Sequence, residues 1–154
     1  MPAESQRRFV LLGNDLFEGY GMPVIWKLLR CEAPGVSVHA ERADADLVDR
    51  LENGTADIAF VPDFMVQSSL RRLALPRERF VVLVRKGHPA LRKRFDLAAY
   101  LRLDHLLIAP RGLPGSLVDS ALERLGKSRR VVARIQHFSS APFLPAESAL
   151  ALTW

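Results

Sequence analysis

The first sixty residues alternate short apolar runs with amphipathic stretches, and this order limits the possible folds more than any other feature of the chain. The unbroken apolar run at residues 9–12 is typical of a buried strand. Residues 36–41 alternate with period two, as a half-buried strand does, and residues 57–61 predict a third strand. Because helical patterns with short connections separate these strands, the order predicts crossover units and a parallel sheet with helices on its faces.

Start and stop signals place the two connecting helices. The first is expected to begin near Pro23, because Gly19 and Gly21 delay it. The second is expected to take Asp44 as its cap and to stop at Gly54 in the left-handed conformation. The apolar residues expected on the inner faces are Ile25, Leu28 and Leu29 in the first helix and Leu47, Val48 and Leu51 in the second.

The same alternation restarts in the second half of the chain, which predicts two Rossmann-like α/β lobes with a cleft between them. The first lobe is assigned to residues 1–85 and the second to residues 86–154, with a hinge near residues 80–89. The segments expected in the second lobe are helices near 96–101, 116–125 and 142–147 and strands at 105–109, 130–135 and 149–153. Since the sequence stops inside an apolar strand pattern at Trp154, the fold is expected to be truncated at the C-terminus, leaving the first lobe incomplete.

Composition narrows the class of protein. With 154 residues, 49% of them apolar, the chain can bury a real core, and its single cysteine, Cys31, points to a reducing compartment. The polar N-terminus lacks the hydrophobic segment of a secretory signal and no segment reaches membrane-spanning length, so a soluble, cytoplasmic protein is expected. The net charge of +5 comes partly from basic clusters such as Arg129-Arg130, which are interpreted as solvated surface.

Three loops at the carboxyl ends of predicted strands carry the candidate binding residues, because open α/β sheets hold ligands at that edge. The last two loops lead into helices, whose N-terminal N–H groups favour an anion. The loops cover residues 13–16, 110–115 and 136–140, and the candidates in them are Asn14, Asp15, Arg111, His137 and Phe138.

Each polar candidate also has a purely structural interpretation. Asn14 and Asp15 could cap the chain entry through side-chain turns, Arg111 could be solvated, and His137 could simply bond a neighbouring carbonyl. No GxSxG, HExxH, phosphate-binding loop or cysteine pair is present in the sequence, so no catalytic residue, metal site or cofactor is expected.

Four segments, taken in order, resemble the effector-binding domain of LysR-type transcriptional regulators, which has the type 2 periplasmic-binding-protein fold. The segments are FVLLGNDLFEGYGMPVIWKLLRCEAPGVSV, LVDRLENGTADIAFVPD, LALPRERFVVLVRKGHPAL and RIQHFSSAPFLPAESALALT. Within the family, the long first loop and the His137-Phe138 pair are most similar to the branch of nodulation regulators and aromatic-acid-responsive members.

The resemblance implies a regulatory domain and not an enzyme. A small effector, often an aromatic or other organic acid, would bind between the lobes and modulate transcription. By position, the resemblance implies contacts from Asn14, Asp15 and Leu16, from Arg111, Gly112 and Leu113, and from His137 and Phe138. The resemblance also implies a homo-oligomer, a dimer in this part and a tetramer in the complete regulator, formed through residues 23–29 and 116–125. DNA would be bound only by an N-terminal helix-turn-helix that this sequence lacks. A solute-binding protein of a transporter and an enzyme on the same fold are the alternatives that share the architecture.

Overall fold

The computed structural model describes residues 2–66, 69–110 and 115–154. The chain divides into two compact units, Met1–Leu75 and Pro76–Trp154, and each contains its own sheet. Within the described residues, no helix combines the length and the apolar character needed to cross a bilayer.

The first unit is built on a parallel sheet of three strands, as the sequence predicted. Strands β1 (Arg8–Gly13), β2 (Ser37–Arg42) and β3 (Ile58–Ala59) lie in the order β2-β1-β3. Helices α1 (Met22–Glu32) and α2 (Leu47–Glu52) form the two crossovers. The pairing of the two-residue strand β3 with β1 is extended by flanking bonds, because the Asp57 N–H donates to the Val10 carbonyl and the Phe60 N–H to the Leu12 carbonyl.

The core of the first unit lies between this sheet and α2. Leu12, Leu47 and Ala56 are buried there, and Val48 and Leu51 of α2 pack against them, which confirms the predicted inner face of the second helix. The left-handed Gly54 that ends this helix is also confirmed, with φ of 74°. In α1 the prediction is only partly right, because Ile25 and Leu29 are half-buried whereas Leu28 is exposed.

Helix α1 begins at Met22, close to the predicted Pro23, but the prediction that Gly19 and Gly21 delay the helix is wrong. The chain is already helical at Asp15 and passes through a π-helical turn, Phe17–Gly21, directly into α1. Gly19 and Gly21 therefore lie within the helical segment and do not delay it. Gly21 has helical backbone angles, φ −80° and ψ −46°, and its missing side chain leaves room for the Phe17 ring, so close packing explains this glycine better than helix breaking.

Two acidic residues of the first unit, Asp44 and Asp57, each pair with an arginine. Asp44 was expected to cap α2, but its carboxylate accepts a bond from Arg42 Nε at 2.8 Å, and Asp46 occupies the cap position without a side-chain bond. Asp57 precedes β3 and accepts the Val10 N–H at 2.8 Å while pairing with Arg7, so its carboxylate adds to the pairing of β1 and β3.

The second unit holds a mixed sheet of four strands in the order β4-β7-β5-β6. The strands are β4 (Val82–Leu83), β5 (Asp104–Ile108), β6 (Arg130–Ile135) and β7 (Ala151–Thr153). Strand β4 runs antiparallel to β7, while β5 runs parallel to both β6 and β7. Helices α3 (Leu97–Leu101), α4 (Leu117–Glu123) and α5 (Phe143–Ala146) connect them close to the predicted positions.

A buried polar network links α3, α4 and β7 of the second unit through Arg129. Its guanidinium bonds the Asp119 carboxylate at 2.7 Å and donates to the hydroxyls of Tyr100, Thr153 and Ser116. The Arg129 side chain is only 2% exposed, so its assignment to a solvated basic cluster is wrong. Burial alone would raise the pKa of Asp119, but the hydrogen bonds from Arg129 and Ser116 hold the pKa of that carboxyl below its usual value.

His105 lies fully buried beside this network, and its burial is expected to make the stability of the second unit depend on pH. Its Nε2 bonds the Tyr100 carbonyl at 2.9 Å, and because a carbonyl only accepts, Nε2 carries the proton. Its buried Nδ1 then lacks a hydrogen-bond partner among the described residues. Burial lowers the pKa of His105, and the positive charge of Arg129 lowers it as well.

The free energy of unfolding is therefore expected to decrease as the pH falls below about 6.5, the ordinary histidine pKa, because the unfolded chain takes up a proton that the folded chain resists. Urea unfolding at pH 7.5 and about pH 5 should show a smaller difference for His105→Gln than for the unmodified protein. His39→Gln, at an exposed position of β2, is the matched control and should keep the full pH dependence. Equal pH dependence in His105→Gln and the unmodified protein would contradict the assignment.

Candidate functional site

The carboxyl ends of all three strands of the first unit lie at one edge of its sheet, since the strands are parallel. Asn14 directly follows β1 and begins the helical segment. Its Oδ1 accepts the Phe17 N–H at 3.0 Å and its carbonyl accepts the Glu18 N–H at 3.0 Å, so Asn14 is the N-cap of this helix. The predicted loop of Asn14, Asp15 and Leu16 is thus a helix start, and its three residues lie together at the sheet edge.

The capping role of Asn14 leaves part of its side chain available for a ligand. Oδ1 accepts the Phe17 N–H, and the Nδ2 amide group is the donor of this side chain that remains for a ligand. No bond to Nδ2 is found within the described part of the chain. The structural interpretation of Asn14 as a cap and its interpretation as a ligand contact are therefore compatible, because they use different atoms.

In the second unit, β5 and β6 end side by side, as the 2.8 Å bond from the Ala109 N–H to the Ile135 carbonyl shows. His137 and Phe138 follow β6 at this edge, where His137 is exposed and Phe138 is half-buried. Arg111, Gly112 and Leu113 lie outside the described residues. The structure therefore brings His137 and Phe138 to the end of β5, and the position of the 111–113 candidates is untested.

The helices whose N-termini were expected to favour an anion after these loops are short. Helix α4 has seven residues and α5 only four, so few peptide dipoles are aligned in either. One N–H group at the N-terminus of α4 is already bonded, because the Ser116 Oγ accepts the Asp119 N–H at 3.3 Å. Attraction of an anion in the second unit would therefore have to come mainly from side chains.

A surface groove of about 320 Å³ lies between α4 and β6 of the second unit. Charged side chains dominate its lining, including Asp119, Lys127, Arg129 and Arg134. The eight sequence candidates lie elsewhere or outside the described residues, and the donors of Arg129 are already used within the buried network. The groove therefore does not coincide with the predicted site.

The sequence analysis did not predict two features of the structure. Phe17 and Phe60 stack at the edge of the first sheet with ring centroids 4.1 Å apart. Arg129 is buried, although it adjoins the exposed Arg130. Phe60 lies one residue beyond β3, and this position could have identified Phe60 as a residue of the sheet edge. Neither Phe17 nor Arg129 stands in a sequence pattern that distinguishes it from its neighbours.

Both units are small α/β sheets whose loops at the carboxyl edge offer polar and aromatic groups, which is the class of domain that holds small ligands. The family model of the LysR substrate binding domain matches residues 3–144, and the chain belongs to this family. The predicted family is thereby confirmed.

Sequence relatives are transcriptional regulators. The HTH-type transcriptional activator NagR of a Ralstonia species is 31% identical over 140 residues, covering 89% of this chain and 46% of NagR. Nodulation protein D 3 of Mesorhizobium japonicum is 29% identical over 143 residues, covering 92% of this chain and 47% of that protein. The match to a nodulation protein agrees with the predicted branch. The chain spans about half the length of these relatives.

Solved structures agree with the fold. The probable transcriptional regulator PA0477 from Pseudomonas aeruginosa superposes with a TM-score of 0.85 at 28% identity, covering 100% of this chain and 53% of that one. The BenM effector binding domain, solved with its effector benzoate, superposes with a TM-score of 0.72 at 15% identity, covering 96% and 69%. The similarity to BenM is evidence for the shared fold alone.

Proposed function

We propose that this chain is the effector-sensing part of a LysR-type transcriptional regulator, and that its effector is an aromatic or other organic acid. The observation that carries the proposal is the family match over residues 3–144. Benzoate, the effector of BenM, is an acid of this class and binds a domain of the same fold. The relatives are regulators and not enzymes, which favours sensing over catalysis and over transport.

The proposed effector contacts are the eight residues predicted from the sequence. In the first unit they are the Asn14 Nδ2 donor and the adjacent Asp15 and Leu16. In the second unit they are Arg111, Gly112 and Leu113 together with His137 and Phe138. A carboxylate suits the donors of Asn14, Arg111 and His137, and a ring suits the face of Phe138.

Partners and location are proposed on the same basis. DNA is expected to be bound by a helix-turn-helix elsewhere in the complete regulator, which would act in the cytoplasm. A homo-oligomer is proposed through α1 and α4, because both helices expose large apolar side chains. These side chains are Val24, Trp26 and Leu28 on α1, with Tyr20 in the turn before it, and Leu117 on α4, with Leu125 after it.

Replacement of Asn14 by aspartate tests the proposed contact most sharply. The introduced carboxylate would keep an oxygen that caps the Phe17 N–H but would replace the Nδ2 donor by a negative oxygen facing the acid. Calorimetric titration with benzoate and its hydroxylated and aminated derivatives is expected to show binding to the unmodified protein and at least roughly tenfold weaker binding to Asn14→Asp. Alanine variants of His137 and Arg111 are expected to weaken binding as well.

His39→Ala, an exposed residue of β2 remote from the carboxyl ends of the strands, is the matched control and should bind like the unmodified protein. Binding that is unchanged in all three site variants would reject the proposed contacts. No binding of any acid in the panel to the complete regulator would reject the proposed effector class.

A further inference from the structure

An aromatic pair connects the carboxyl ends of β1 and β3, close to Asn14 in the chain. The Phe17 ring, in the first turn after β1, stacks on the Phe60 ring, which directly follows β3. The ring centroids are 4.1 Å apart and the ring planes differ by 14°. Neither residue belongs to the eight proposed effector contacts, and both lie at the same sheet edge as Asn14.

The space for the Phe17 ring is shaped by two glycines. A Cβ atom built on Gly21 would lie 2.6 Å from Phe17 Cδ2, and one built on Gly13 would overlap Phe17 Cδ1. Gly19, in the same helical turn, has no atom within 4 Å of such a Cβ in the described structure. Two backbone segments therefore approach the ring closely, and any side chain at Gly13 or Gly21 would push the ring out of its position against Phe60.

The stacked residue also supplies the N–H that orients Asn14. The Phe17 N–H donates to Asn14 Oδ1 at 3.0 Å, which fixes the direction of the remaining Nδ2 donor. The position of the Phe17 backbone in turn depends on where its ring is held. The chain of contacts runs from Phe60 through the Phe17 ring and the Phe17 N–H to the Asn14 amide.

We propose that Phe60 and Phe17 are positioning residues, whose stack holds the Asn14 amide in the orientation that receives the acid group of the effector. The inference deepens the proposed function and depends on it for the identity of the ligand. A donor held in place before binding loses less conformational freedom when the ligand arrives, so the stack would strengthen binding without touching the ligand.

Two glycine variants of the same turn provide the test. Gly21→Ala is expected to displace the Phe17 ring, to raise the hydrogen-exchange rate of the Phe17 amide roughly three- to tenfold, and to weaken benzoate binding by a similar factor. Gly19→Ala, whose added methyl meets open space, is expected to leave both quantities at their original values. Both glycines have helical backbone, so the favourable effect of alanine on the helix is matched in the two variants.

Substitutions of Phe60 provide an independent test of the same proposal. Phe60→Leu removes the ring and is expected to reproduce both effects of Gly21→Ala, whereas Phe60→Tyr keeps the ring and is expected to retain the original exchange rate and affinity. Leu51→Ala, in α2 of the same unit, weakens packing away from the stack and controls for a general loss of stability. In Leu51→Ala, the Phe17 amide is expected to exchange faster only by the factor that the lower global stability explains.

The exchange measurement separates failure of this inference from failure of the proposed function. An unchanged Phe17 exchange rate in both Gly21→Ala and Phe60→Leu would overturn the positioning role, with or without a ligand. Faster exchange combined with unchanged affinity for a panel acid that the original protein binds would also overturn it. Absence of binding to the unmodified protein, with the expected exchange rates, would reject the effector class and leave the positioning of Asn14 supported.

Discussion

Replacing Arg129 with methionine is expected to lower the free energy of unfolding of the second unit by about 3–5 kcal/mol. The substitution leaves the Asp119 carboxylate without its cationic partner and removes donors from the hydroxyls of Tyr100, Thr153 and Ser116. Asp119 keeps some contact with solvent, which favours the lower end of this range. Urea unfolding followed by circular dichroism measures the change.

Arg130→Met is the matched control, because it makes the same change in the adjacent residue. The Arg130 side chain is 76% exposed and its pairing with Asp104 spans 3.2 Å, so a change of about 0–1 kcal/mol is expected. The double variant Arg129→Met, Asp119→Leu should recover part of the loss, since it removes the unpaired charge together with its partner. Equal destabilisation by Arg129→Met and Arg130→Met would contradict the role assigned to the buried network.

Replacing Leu12 with alanine is expected to cost the first unit about 2–5 kcal/mol, because the lost methyl groups leave a cavity at the centre of its core. Leu12 is 0% exposed, lies in the middle strand of the sheet and contacts the cluster formed with Leu47 and Ala56. The measurement is again urea unfolding, with fluorescence used where the transitions of the two units separate.

Leu73→Ala makes the identical chemical change in the same unit at a side chain that is 88% exposed. It is expected to alter the free energy of unfolding by no more than about 0.5 kcal/mol. A Leu12 variant as stable as the Leu73 variant would show that the sheet and α2 do not form the core described here.

Local patterns of apolar residues were sufficient to predict the framework of the first unit. The unbroken apolar run at residues 9–12 lies in β1, the alternation at 36–41 overlaps β2, and the predicted inner face of α2 packs into the core, so all three predictions were confirmed. The family assignment followed from the order of four segments and was confirmed by the match over residues 3–144.

Glycine and acidic residues were interpreted less successfully, because their roles depend on neighbours that only the folded chain brings into contact. Gly21 resembles a helix breaker until Phe17 is found against it, and Asp44 resembles a cap until Arg42 is found beside it. The same applies to the candidate site: Asn14 was identified by its place after β1, but its cap and the support from Phe60 depend on the folded turn.

The sequence by itself determined the α/β alternation of both units, because hydrophobic periods and short connections act locally along the chain, and the resemblance of four ordered segments indicated the LysR family. Only the tertiary structure decided which of Arg129 and Arg130 is buried and which aromatic residue meets Phe17. Two adjacent arginines are chemically identical until a sheet and two helices enclose one of them and supply a carboxylate, and stacking requires segments far apart in the chain to become neighbours.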